Sequence, residues 1–255
     1  MDQDSICRLT RLTSDFYGKV HSSFSATRQQ AWGGWHRLAD LFERAWTTTE
    51  TVAVLDLACG NLRFEKYLEQ RFPTKHFHFI AVDNCSELID TTTLRSQVQF
   101  LNFDIIAGLQ SDVDLAAALR TAGIATSDID LILSFGFLHH IPSGGLRHKF
   151  VKQVKELATE SGASVALAFW QFLKDTRIAK SAEKSTSLAL TLFPTLVLEQ
   201  GDYLLGWRET EDVFRYCHSF SDAEVEDLSC ILGNESTTFS ADGSSDTLNR
   251  YIFSA

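Results

Sequence analysis

The stretch TVAVLDLACGN, residues 51–61, decides the fold. It is a nearly continuous apolar run that ends at Gly60. A strand buried on both faces of a parallel sheet reads this way. Working outward, NLRFEKYLEQRF (61–72) reads as a helix stopped by Pro73. FHFIAVDN (77–84) is a second strand, SELIDTTTLRS (86–96) a short helix and VQFLNFDI (98–105) a third strand. SDVDLAAALRTAG (111–123) is helical with a glycine stop, and IDLILSFGFL (129–138) is a fourth strand. LRHKFVKQVKELATESG (146–162) is a helix with Phe150, Val154 and Leu157 on one face, and SVALAFWQF (164–172) is a fifth strand. Strict alternation of strand and helix predicts a doubly wound parallel α/β sheet.

The flanks break the alternation. From Arg28 to Trp46, Trp32, Trp35, Ala39, Phe42 and Trp46 recur at steps of three and four, an amphipathic helix. Ahead of it, VHSSFSATRQQAW (20–32) follows no plain helix or strand period. Residues 173–220 carry mixed signals. SDAEVEDLSCILG (221–233) restores a capped helix, and ESTTFSA, a DGSSD turn and LNRYIFS close the chain as a hairpin. The expected organisation is one domain over 1–255. It has an N-terminal helical cap over 1–48, a cofactor-binding core over 49–172, an inserted substrate lid over 173–220, and a last helix and β-hairpin over 221–255.

Composition sets limits. No apolar run approaches the roughly 18 residues of a membrane span, so no membrane association is expected. The first residues, MDQDSICRLT, are acidic and carry no signal-peptide pattern. Five scattered cysteines with no CxxC pair read as reduced thiols, without a metal site. A cytoplasmic monomer is expected. The formal net charge of −10 argues against a broad nucleic-acid-binding surface and leaves only a local basic patch.

The strand ends carry the chemistry. Asp56 lies near the end of the first strand, and Gly60 stands at the turn into a helix, where the backbone can approach a ligand. Asp83 follows Gly60 by 23 residues at the end of strand two, placed to accept ribose hydroxyls. Asp104 in NFDI can accept from an adenine amino group, with Ile105 beside the ring. Three acidic strand ends in succession point to a nucleotide-like cofactor more strongly than any one does.

Over residues 50–255 this arrangement resembles the class I S-adenosylmethionine-dependent methyltransferases. The resemblance implies a seven-stranded, Rossmann-like, mostly parallel sheet with an antiparallel last strand. It also implies S-adenosylmethionine as cofactor, bound by Asp56, Ala58, Gly60, Asp83, Asn84, Asp104, Ile105 and Ser134. The family's turn has three alternate glycines; here they are Ala58, Gly60 and Leu62, so only the middle one remains. No Pro-Cys nucleophile and no Asn-Pro-Pro-aromatic run follows strand four, which excludes two acceptor chemistries. His139 and His140 read as structural there, since a double histidine at that place needs no catalytic duty.

FYGKVHSSFSATRQQAW (16–32) resembles the opening signature of the tRNA wobble-uridine methyltransferases that esterify 5-carboxymethyluridine. Their second signature matches Gly201, Asp202, Trp207, Arg215, Tyr216, His218 and Phe220. The resemblance implies a tRNA-modifying enzyme. A carboxylate acceptor is ionised at neutral pH and needs orientation rather than a strong base. Arginine suits that task, so Arg28 and Arg215 are the expected carboxylate holders, with His21 and His218 as hydrogen-bond partners. Trp207 and Tyr216 are expected stacking surfaces, and Lys174 and Arg177, with Lys180 and Lys184, a local basic patch. Trp32 and Trp35 are expected in the core. The alternatives are a methyltransferase for a small carboxylate or amine, and a non-catalytic binding protein. The resemblance also implies a zinc-binding activator on the edge of strand three. Here the long segment Ile106–Asp128 is expected to shield that edge, so that no activator is required.

Overall fold

The computed structural model describes residues 1–26, 30–46, 51–207, 210–233, 235–240 and 248–255, excepting the side chains of 21–26, 210 and 211. Two helices, α1 (Gln3–Ala26) and α2 (Gly34–Ala45), precede the sheet. The alternating core then runs β1 (Thr51–Leu57), α3 (Arg63–Arg71), β2 (His76–Asp83), β3 (Gln97–Asn102), α4 (Ile105–Gln110), α5 (Leu115–Thr121), β4 (Leu131–Ser134), α6 (Gly144–Ser161) and β5 (Ser164–Trp170). The remainder is α7 (Thr176–Leu192), β6 (Asp202–Trp207), β7 (Thr210–His218), α8 (Asp222–Leu232), β8 (Thr237–Ser240) and β9 (Asn249–Ser254).

Seven strands form one sheet in the order β3-β2-β1-β4-β5-β9-β8. β1 to β5 pair in parallel. β9 runs antiparallel to both β5 and β8. The expected architecture is present, including the reversed last strand. Strand order turns around between β1 and β4, and at such a point the carboxyl ends of the strands open a crevice. β6 and β7 form a separate two-stranded sheet over part of the segment that follows β5.

One face of the sheet buries an aliphatic core of Leu55, Val82, Ile132, Val154 and Ile252 under α6 and α8. The other buries an aromatic core in which Trp35 and Phe42 of α2 meet Phe64, Phe79 and Tyr251. Each such side chain contributes about 1.5–3 kcal/mol by leaving water. Gly34 lets α2 approach closely: a Cβ there would lie 2.2 Å from the Tyr251 ring.

Three local expectations are corrected. Val20–Ala26 is helical, because α1 carries Leu9, Phe16 and Val20 as one buried face against the β6–β7 sheet. Tertiary packing overrides the polar composition of that segment. SELIDTTTLRS forms only a 3-10 turn at Ser86–Leu88. Asp90 Oδ1 accepts from both the backbone N–H and the hydroxyl of Thr92, a local bond that competes with a helix. The segment after β3 does not run along the sheet edge. Its apolar residues Ile105, Ile106, Leu109, Leu115 and Leu119 join the aliphatic core, and α4 and α5 pack on α6. β3 remains the outer strand, so the expected shielding of its edge by this segment is absent.

Candidate functional site

A cleft of about 890 Å³ opens at the carboxyl ends of β1, β2 and β4. One wall comes from the turn after β1. Ala58, Gly60 and Leu62 have φ of 66°, 56° and 56°, so all three alternate positions are left-handed. The turn thus keeps the backbone that alternate glycines favour, with side chains at two of the three places. Each costs about 1–2 kcal/mol of backbone strain. Leu62 offsets its strain by burial against Cys59 and Ala81. At Gly60 a Cβ would meet no atom within 4 Å, so the backbone faces open space in the cleft.

Asp83 closes this wall. Its Oδ2 accepts from Gly60 N at 2.9 Å and its Oδ1 from Cys85 N at 2.9 Å, which fixes the carboxylate. Burial raises its pKa, against the opposing pull of these backbone donors. Asn84 donates to Asp104, and Asp104 also caps α4 through Ala107 N. Asp56, Ala58, Gly60, Asp83, Asn84, Asp104 and Ile105 all line the cleft. Ser134 does not. It is buried at the end of β4 and donates to the Leu57 carbonyl, so it braces β1 against β4.

The opposite chemistry gathers around Arg215. Its guanidinium lines the cleft although the residue is 5 % exposed. Nη1 donates to the Tyr17 hydroxyl at 3.1 Å, and the group lies over the Phe16 ring. Burial works against its charge, but Tyr17 and Cys217 outweigh that and raise its pKa. Tyr17 in turn lies 2.8 Å from His140 Nε2. His140 Nδ1 faces the Tyr216 carbonyl at 2.8 Å. A carbonyl only accepts, so in the neutral imidazole Nδ1 carries the proton and Nε2 accepts from Tyr17. His139 and Trp170 complete this end of the cleft.

Other expected acceptor residues are not brought here. Side chains alternate along β7. Arg215 and Cys217 face Tyr17 and His140, whereas Tyr216 and His218 both turn to Asp202. Tyr216 is buried and donates to Asp202 at 2.6 Å. His218 bridges Asp202 at 2.8 Å and Glu224 at 2.9 Å. Both hold the fold rather than line the cleft. Trp207 packs at Phe16 and Val213 instead of lining the cleft. Lys174 binds Asp222 and Gln171, and the outward-pointing Arg177 side chain is 91 % exposed beside Asp175. Neither contributes to the cleft, so the expected basic patch does not border it through these two. Arg28 lies outside the described residues, as does the His21 side chain. Trp35 belongs to the core as expected yet reaches the cleft wall, and Trp32 joins it beneath Arg63, 4.9 Å from the ring centre.

The His218 bridge has a pH signature. Asp202 and Glu224 hold the His218 pKa above its usual value despite burial. Glu224 is brought down to about 2 by His218 and the Ser221 donors, which overcome its desolvation. Glu224→Gln therefore loses stability relative to wild type above about pH 4.5, the unfolded carboxyl range. That difference is expected to vanish as pH falls through about 2. It also shrinks as pH rises through the raised His218 value. Urea melts across pH 2–9 check this; a pH-independent difference would show that the bridge is not ionic.

No protein-family model matches the chain. It is 22 % identical over 210 residues, 82 % of this chain and 80 % of the relative, to a candidate methyltransferase, ECU09_1500, of Encephalitozoon cuniculi (strain GB-M1). The structure of the DhpI–SAH complex superposes with a TM-score of 0.55 at 17 % identity, covering 96 % of this chain and 95 % of that one. SAM-bound CalS10, an amino pentose methyltransferase from Micromonospora echinaspora, gives 0.51 at 13 % identity, covering 92 % and 97 %. The chain has a class I methyltransferase fold. Streptomyces venezuelae DesVI shares that methyltransferase fold at a TM-score of 0.51 and 13 % identity, over 93 % of this chain and 97 % of that one.

In this methyltransferase fold two residues near the cleft carry little signal in the sequence. Tyr17 stands within the motif FYGKVHSSFSATRQQAW without an assigned role. Its spacing from Thr13, one helical turn, was the available signal. Glu65, a charged residue within the helix NLRFEKYLEQRF, is fully buried.

Proposed function

We propose that the chain is an S-adenosylmethionine-dependent methyltransferase whose acceptor is the carboxylate of 5-carboxymethyluridine at a tRNA wobble position. The residues present fit the cofactor. The turn at Gly60 offers open backbone, Asp83 a fixed carboxylate for ribose hydroxyls, and Ile105 an apolar surface beside Asp104. When bound, the cofactor supplies an electrophilic methyl group on a cationic sulfur. Asp56, Asp83 and Asp104 give this part of the cleft the negative character that a cationic ligand requires.

The observation that carries the acceptor reading is Arg215, a buried guanidinium in the same cleft, held by Tyr17. A carboxylate there is already the nucleophile. Arg215 orients it and Tyr17 sets the orientation of Arg215. Trp170 adds a flat surface for a base. The test is incubation with labelled cofactor and total tRNA, followed by nucleoside analysis. Label in a methyl-ester nucleoside is the expected result. Label only in a metabolite extract supports the second reading, a small carboxylate or amine acceptor. The Tyr17–His140 bond favours that second reading in one respect, since it offers a base for a neutral nucleophile.

Asp83→Ala is expected to weaken cofactor binding by about 1–3 kcal/mol, the scale of hydrogen bonds to a charged acceptor. Calorimetry reads this directly, and unchanged affinity would remove Asp83 from the site.

A further inference from the structure

Asp56 is the next-to-last residue of β1, and Glu65 sits in the first turn of α3. They are 4 % and 0 % exposed. Among the described residues neither Asp56 Oδ1 nor either oxygen of Glu65 makes a hydrogen bond of good geometry, although the backbone N–H of Glu65 lies near enough to favour its charged form. Two ionised carboxylates in this position would be poorly solvated and would repel one another. The two carboxyls are close enough to act directly on one another. A proton held between them satisfies both. The other titratable groups facing the pair are Asp83 at the end of β2, the Cys59 thiol in the turn and Lys66 on α3. Only Lys66 carries positive charge among these, and it acts weakly. Burial pushes Glu65 up to about 7 and Asp56 well above the carboxylate range. Asp56 lines the cleft, whereas Glu65 lies behind it.

We propose that Asp56 and Glu65 form a proton-sharing pair that meets the cationic end of the cofactor, so that cofactor binding expels a proton from the pair. Glu65 is a positioning residue that acts through Asp56, and the inference rests on the cofactor reading above. In the free protein the O–H of one carboxyl bonds the other. A ligand cation in contact with Asp56 takes over the role of that proton, which leaves to the buffer. The charge of the site is then balanced by the ligand. Binding of the cationic cofactor becomes tighter as pH rises, by up to about tenfold per pH unit near neutrality.

The test is calorimetry of S-adenosylmethionine with the full chain at pH 7, in buffers of different ionisation enthalpy. The expected result is release of roughly half to one proton per cofactor bound. Glu65→Gln, whose amide donates to Asp56 without a titrating proton, is expected to bind with little proton exchange and a flattened pH dependence. Binding with buffer-independent heat in wild type overturns the pair while leaving the cofactor reading intact. Proton release undiminished in Glu65→Gln also overturns it. Absence of binding at any pH overturns the cofactor reading and the pair with it. The wild-type measurement decides the matter even if the variant fails to fold.

Discussion

Arg147→Ala is expected to destabilise the protein by about 3–5 kcal/mol, the cost of leaving a buried charge network without its cation. Arg147 is 4 % exposed. Its Nη1 donates to the Ile141 carbonyl at 3.2 Å and the Tyr216 hydroxyl at 3.0 Å, and lies 4.0 Å from Asp202. Its Nη2 lies 3.5 Å from Glu199, which also takes the N-terminal ammonium at 3.0 Å and Gly144 N at 2.8 Å. One guanidinium thus joins α6, the turn before β6, β7 and the chain start. Without it, among the described residues the fully buried side chain of Asp202 keeps only His218 as a counter-charge. For a chain of this size the loss corresponds to a fall in Tm of about 6–20 °C. Urea unfolding with an unchanged slope measures it. A loss below about 1 kcal/mol would show that the network adds nothing over an apolar filling.

Arg215→Lys is expected to lower methyl transfer by about 10- to 150-fold, the loss of a hydrogen bond to a charged partner of about 1.5–3 kcal/mol. Cofactor affinity should stay near wild type. The lysine ammonium can reach Tyr17 or the acceptor, but it lacks the planar fork that does both at once. Arg215 sits with Tyr17, Phe16 and Trp170, so binding and transfer are expected to separate. Tyr17→Phe removes the hydroxyl that holds Nη1 and should give a smaller loss in the same direction. The measurement is single-turnover transfer beside calorimetric cofactor binding. Full activity of Arg215→Lys would refute the acceptor assignment; equal loss of binding would place Arg215 at the cofactor instead.

The sequence by itself determined the sheet and the acidic strand ends that line the cleft. Both rest on local signals. TVAVLDLACGN and FHFIAVDN are apolar runs that only a doubly buried parallel strand explains, and each ends in a carboxylate at a fixed distance from Gly60. The capped helix of SDAEVEDLSCILG was legible from its sequence, and in the fold Ser221 and Glu224 close a reciprocal capping box. Short-range chemistry of this kind survives folding unchanged, so one dimension of information suffices.

Only the tertiary structure decided what the second motif does. Gly201, Asp202, Tyr216 and His218 stand beside Arg215 in the same signature, yet strand alternation turns Tyr216 and His218 into a buried network and leaves Arg215 in the cleft. Gly201 is required there for a different reason: its φ is 86°, and a Cβ would lie 2.8 Å from the His218 ring. A motif read along the chain cannot distinguish residues that hold a strand from those that face a ligand, because both are set by partners far away in sequence. Tyr17 meets Arg215 across 198 positions and His140 across 123. Glu65 appears on a helix that looks amphipathic, and only the packing of α3 onto the end of β1 buries its carboxyl against Asp56. Burial and pairing are properties of the folded whole, and they decide which charges become chemistry.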